Sequence, residues 1–164
     1  MALIHSILMG AVAGMRAMTP LATVTAAACN GRLPAGNGAP RLLANPLVSA
    51  GAKALAAGEL AGDKLDDAPD RIVPAGMLAR IVTGAIAGAA LAPREQRGLA
   101  AVLGAGAAVG AAYLTFNLRV RAMKRYGQKT TGAVEDAITL GSASLIARSA
   151  ARERPGRQRR RAAR

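Results

Sequence analysis

The sequence predicts an all-α fold, a polytopic transmembrane helical bundle of four to five membrane helices with a kinked first helix and a short or re-entrant last one. Three observations predict it. First, 52% of the 164 residues are hydrophobic, yet Trp is absent and the aromatic side chains are two Tyr and one Phe. A soluble core draws much of its buried area from aromatics, whereas Ala, Gly, Leu and Val suit helices in lipid, where small residues let backbones approach. Second, residues 98–118 form an uncharged run, long enough to cross about 30 Å of hydrocarbon at roughly 1.5 Å per residue. Third, GxxxG steps recur at Gly10 and Gly14, Gly58 and Gly62, Gly84 and Gly88, and Gly106 and Gly110. One step per predicted span favours tight helix packing or a homo-oligomer.

The elements follow in order. Residues 3–29 are long enough to span but carry Arg16 near the middle and Thr19-Pro20 just after, so a helix kinked or broken there is expected. Residues 30–46, rich in Gly, Pro and Asn, read as a loop. Residues 47–65 are apolar apart from Lys53, Glu59, Asp63 and Lys64. Residues 66–74, with Pro69 and Pro74, form a second loop, and 73–92 contain Arg80 as their one charge. After a polar turn at 93–97 and the span 98–118, residues 119–132 read as a basic connection. The last apolar segment, 133–147, begins with Glu135 and Asp136 and is short, about 22 Å as a helix. Two regions result, a membrane helical domain over 1–147 and a basic, disordered tail over 148–164.

The net charge of +13 divides unevenly, because eight arginines and one glutamate lie from Arg148 to the C-terminus. No aromatic residue is interleaved with them, so the stacking surface of a single-strand binder is missing and no nucleic-acid partner is expected. An anionic leaflet is the better partner: tail residues such as Arg157, Arg159, Arg160 and Arg161 would each add about 1 kcal/mol of attraction to anionic lipid headgroups. Two basic regions, 119–129 and the tail, would face opposite sides of five full spans. The positive-inside rule is satisfied if the last segment re-enters and leaves both in the cytoplasm.

Motifs for chemistry are few. Cys29 and His5 are single, which excludes cysteine- or histidine-based metal clusters on count. Residues 26–29 resemble a lipoprotein cleavage site, but no basic segment precedes the apolar run, so a retained helix is expected. Asp66, Asp67 and Asp70 spell DDxxD, but Pro69 interrupts it and no second copy exists. Neither a Gly-x-Ser-x-Gly elbow nor a phosphate loop is present. No enzyme, catalytic residue, metal or cofactor is therefore expected.

What remains is charge at membrane depth, which costs several kcal/mol and asks for a partner or a purpose. Glu59 and Asp63 are four apart and share a helix face beside Gly58 and Gly62, Lys64 adjoins them, and Arg16 shares its face with His5, Met9, Thr19 and Thr23. The economical arrangement turns these stripes inward, with Arg16 and Arg80 facing Glu59, Asp63 and Glu135.

Taken together, Ala13-Gly14-Met15-Arg16 with Pro20, Gly58-Glu59-Leu60 with Asp63-Lys64-Leu65, Pro69 and Arg71, Ala79-Arg80 with Gly84 and Gly88, and Glu135-Asp136 resemble the uncharacterised bacterial membrane proteins of domain-of-unknown-function family 4126. The resemblance covers about residues 8–147, and the Gly-Glu-Leu to Asp-Lys-Leu block is its most specific part; Asp66 stands where that family usually has proline. It implies a small, multi-pass protein of the bacterial inner membrane, with shared residues at Arg16, Glu59, Asp63, Arg80, Glu135 and Asp136, and no established activity. An Arg-bearing helix followed by an acid-bearing one occurs twice, at Arg16 with Glu59 and at Arg119 with Glu135, as in a duplicated transporter unit.

The expected function is binding or passage of a small polar solute or ion through this intramembrane site, in an oligomeric bundle held in the lipid bilayer. The alternative is a non-catalytic membrane scaffold or anionic-lipid-binding protein.

Overall fold

Proline explains where the first helix stops. In an uninterrupted helix the backbone nitrogen of Pro20 would face the carbonyl of Arg16, which it cannot serve as a donor and which its ring would crowd. The computed structural model, which describes residues 2–62 and 74–152, ends α1 (Ala2–Met15) just before that point. It begins α2 (Met18–Cys29) so that Pro20 lies in the first turn, where no intrahelical acceptor awaits its missing hydrogen. Pro46 and Pro74 likewise open α3 (Pro46–Gly62) and α4 (Pro74–Leu91), the position proline favours. Then follow α5 (Arg97–Tyr126) and α6 (Gln128–Arg152), separated by Gly127 at φ 78°, a conformation that costs glycine little. Short 3-10 turns occupy Arg41–Ala44 and Arg94–Gln96. The chain is all-α: among the described residues the one β feature is an isolated bridge between Asn37 and Pro93.

The break at Arg16 and Ala17 is a reversal. At the start of α1, the Ser6 hydroxyl donates to the carbonyl of Gly88 in the last turn of α4, at 2.8 Å. Just beyond the end of α2, Gly38 N–H donates to Ala92 at 2.8 Å and Arg94 N–H donates to Gly36 at 2.9 Å. Both outer ends of the α1–α2 pair therefore sit at the C-terminal end of α4, and the Arg16 turn sits at the other. The expected kinked span is instead a helical hairpin whose arms are about 21 and 18 Å long.

Helices α1, α4 and α5 form the tight centre of the bundle. A Cβ on Gly10 would overlap the Gly104 carbonyl, and one on Gly14 would overlap Ala108. A Cβ on Gly84 would fall 2.9 Å from both Gly104 O and Ala108 Cβ, and one on Gly88 2.5 Å from Ala100 O. These approaches fix direction, since α5 runs parallel to α1 and antiparallel to α4. They also show which face of α5 is inside, the stripe Ala100, Gly104, Ala108 and Ala112, all buried.

Two sequence expectations need correction. Residues 119–132 are not a connection: α5 continues through them to Tyr126 and α6 starts at Gln128, because Arg, Lys and Met are good helix formers whatever their hydropathy. Nor is the last helix short. Helix α6 has 25 residues, about 37 Å. It runs from the Arg16 end of the bundle to the opposite end, so the basic stretch 119–129 and Arg148 and Arg152 lie at opposite ends. The helix also passes the expected start of the tail at 148. Residues 153–164 lie outside the described residues.

Several polar side chains lie inside with the apolar core, and several leucines lie outside. The largest fully buried side chain is that of Arg16, 2% exposed, and Arg80, Glu135, Thr25, Thr83 and Thr139 are also buried. Leu8, Leu78, Leu114 and Leu145 face outward, Leu114 at 62%. By length and composition two helical stretches, Pro74–Leu91 and Arg94–Tyr126, are apolar and long enough to cross a membrane, while α1 and α2 are apolar but shorter.

Candidate functional site

The charged residues gather at the end of the bundle where the α1–α2 hairpin turns. Arg16 lies in the turn itself, outside both helices. One of its terminal nitrogens pairs with the Asp136 carboxylate of α6, and the other donates to the backbone carbonyl of Glu59 in α3, at 3.3 Å. A buried guanidinium has five donors to place, and a turn with a carbonyl and a carboxylate in reach satisfies several without an apolar neighbour being displaced.

The Glu59 carboxylate takes the two backbone donors that the break sets free. Ala17 N–H donates to Oε1 and Met18 N–H to Oε2, each at 2.9 Å. Helix α2 has no side-chain cap from its own N-cap residue, so a carboxylate from α3 does the work usually left to a local Ser or Asp. It also brings negative charge to the positive end of the α2 dipole.

Further out, Arg119 of α5 and Glu135 of α6 form an ion pair at 2.6 Å, both about nine-tenths buried. They stand eight residues before and after Gly127, so the hairpin turn places them opposite each other. Thr139, one turn beyond Glu135, donates to the Glu135 carbonyl at 2.7 Å and touches the sulfur of Met15 at 4.0 Å. Thr19, fully covered at the start of α2, has a hydroxyl with no hydrogen-bond partner among the described residues. Arg80 sits one turn from Gly84 towards the same end of the bundle, buried on α4.

The expected site residues are therefore partly brought together. Arg16 is in direct contact with both Glu59 and Asp136. Glu135 is close by but pairs with Arg119, a residue that sequence reading placed in a connecting segment. Glu59 meets Arg16 through its carbonyl and gives its carboxylate to backbone. Asp63 and Lys64 fall outside the described residues, as do Asp66, Asp67, Asp70 and the tail residues Arg157, Arg159, Arg160 and Arg161. Among the described residues no three His, Cys, Asp or Glu side chains are grouped as a metal site would need.

The glycine pairs divide as well. Gly10, Gly14, Gly84 and Gly88 lie in the close approaches described above, whereas a Cβ added at Gly58, Gly62, Gly106 or Gly110 would meet nothing within 4 Å. Among the described residues of one chain, these last four pack against no neighbouring helix. The correction on α5 is a matter of phase: Gly106 and Gly110 lie off the stripe that Gly104 centres.

A groove of about 550 Å³ opens beside the site, floored by α2 and walled by α3 and α6. It extends from Thr19 to Asn30 along α2, with Arg32, Arg148 and Arg152 at its far end. Sequence reading did not anticipate it, although the alternation of Ala with Thr along α2 was the available signal.

Compared with models of protein families, with curated proteins and with solved structures, the chain matches none.

Proposed function

We propose that this chain is a multi-pass protein of the bacterial inner membrane that binds or passes a small polar solute or ion at the charged site around Arg16. In this reading α3, α4, α5 and α6 cross the bilayer, and α1 and α2 enter it and return to the same side. The membrane location is supported by two apolar helical stretches long enough to cross and by the large hydrophobic side chains that face outward, which lipid tolerates. Basic residues orient it. Arg32, Arg41, Arg94, Arg97, Arg148 and Arg152 lie at the end where α1 begins and α6 ends, and the sequence carries six more arginines beyond Arg152. That end is therefore cytoplasmic.

The single observation that carries the solute reading is a fully buried guanidinium placed in a broken helix. Discontinuous helices whose free backbone groups meet at depth are the usual construction of membrane binding sites, and ionisable residues at depth commonly mark a route. The buried Thr19 hydroxyl, one turn from Arg16 and without a hydrogen-bond partner among the described residues, adds an unused polar group beside it. No catalytic residue and no cofactor enter this reading, and the chain acts as a homo-oligomer with the remaining glycine faces between copies. Its resemblance to domain-of-unknown-function family 4126 accords with the location.

A second reading, a non-catalytic scaffold, is favoured by one specific feature: Arg16 joins Asp136 of α6 to the Glu59 carbonyl of α3, as a register-fixing network would. Glu59→Gln separates the two in liposomes loaded with potassium chloride. Solute passage predicts ion efflux with the natural chain and loss of efflux in a folded variant. The scaffold predicts no efflux from either and a loss of folding or assembly.

A further inference from the structure

The groove between α3 and α6 has a length, a lining and a mouth that belong to one kind of occupant. Along α2 from Thr19 to Asn30 it is about 16 Å long, close to the roughly 15 Å of hydrocarbon that one leaflet contributes. Its floor and walls are small and largely apolar, with Ala22 and Ala26 on α2, Ala56 on α3 and Ala147 on α6, so a flexible chain fits where a bulkier side chain would fill the space. Its volume, about 550 Å³, lies within the roughly 300–1,000 Å³ typical of small-molecule sites.

The mouth is cationic. Arg32, Arg148 and Arg152 converge there, all exposed, and none forms an ion pair among the described residues. Among the described residues no acidic side chain lines the groove. Three free guanidinium groups at the headgroup level of a leaflet-deep apolar slot are complementary to a phosphate that carries an acyl chain.

We infer that the groove holds one anionic phospholipid of the leaflet on the side where α1 begins and α6 ends, its phosphate on Arg32, Arg148 and Arg152 and one acyl chain laid along α2 to Thr19. The lipid covers the outer side of the charged site and occupies the gap that α3 and α6 leave open over α2. This assignment rests on the membrane location proposed above and is independent of solute passage. It differs from a general attraction of the C-terminal arginines to an anionic surface, because it needs a defined slot and three particular side chains.

The test uses the full chain inserted in vesicles of equal phosphatidylglycerol and phosphatidylcholine, extracted into mild detergent and weighed by native mass spectrometry. The expected result is one retained phosphatidylglycerol per chain. Changing Arg32, Arg148 and Arg152 together to Gln should weaken retention about a hundredfold. Changing Arg157, Arg159, Arg160 and Arg161 to Gln should leave it in place. Ala147→Leu, which fills the slot without altering charge, should also release the lipid. Equal retention of phosphatidylcholine, unchanged retention in the triple variant, or displacement by glycerol phosphate as effectively as by the lipid would overturn the assignment. A lipid-free dimer that Ala147→Leu splits would do so too, by making the groove an interface between copies. Failure of the chain to insert into vesicles at all would remove the location, whereas insertion without retention would remove the lipid site alone.

Discussion

The Arg16 guanidinium is paired with the Asp136 carboxylate, 120 residues away in sequence, at the point where the chain reverses between α1 and α2. This contact ties the hairpin turn to α6, and the Glu59 carbonyl and carboxylate tie the same turn to α3. Three separated segments thus depend on one buried cation.

The contact should be worth more than a surface ion pair. Asp136→Asn, which removes a charge facing the buried Arg16, should destabilise the bundle by about 1.5–3 kcal/mol, and Arg16→Met combined with Asp136→Leu should cost less than the sum of the two single changes. Reversible unfolding in mixed micelles, arranged as a double-mutant cycle, measures the coupling.

Glu59 serves backbone donors, so its substitution should act locally. In Glu59→Gln one acceptor oxygen remains for two N–H groups, and the start of α2 should weaken by about 1 kcal/mol. Hydrogen exchange should quicken at Ala17 and Met18 more than at residues in the middle of α5.

Glycines on the two faces of α5 should respond differently. Gly104→Ala drives a methyl group into the carbonyl of Gly84 and should cost about 1–3 kcal/mol. Gly106→Ala and Gly110→Ala meet nothing within 4 Å and should change the stability of the single chain by less than about 0.5 kcal/mol. Thermal stability in detergent, read for each variant, checks the contrast.

These contrasts also mark what the sequence could and could not show. The break near Arg16 was legible, because Pro20 forbids the helix through it. The reversal was not, since its angle is set by contacts of Ser6, Gly36 and Gly38 with the end of α4, far away in sequence. Small-residue stripes were visible on α5, but counting glycines favoured Gly106 and Gly110 over Ala100, Gly104, Ala108 and Ala112. Only the partner helices decide which stripe is inside. The length of α6 was hidden because its residues alternate polar and apolar without a clear helical period. The charged residues were found by their depth, and their pairing was not, because Glu135 and Asp136 are neighbours that point to different arginines.

The reversal at Arg16 inside a membrane is the central claim, and side-specific labelling tests it most directly. Cys29 is exposed at the end of α2. In sealed vesicles of known orientation it should react with an impermeant maleimide from the same side as a cysteine replacing Arg94, and from the side opposite one replacing Lys124, each in turn on a Cys29→Ser background. Labelling of Cys29 from the Lys124 side would mean that the first two helices cross rather than return. Labelling of all three positions from both sides of intact vesicles would mean that the chain is not embedded in the bilayer.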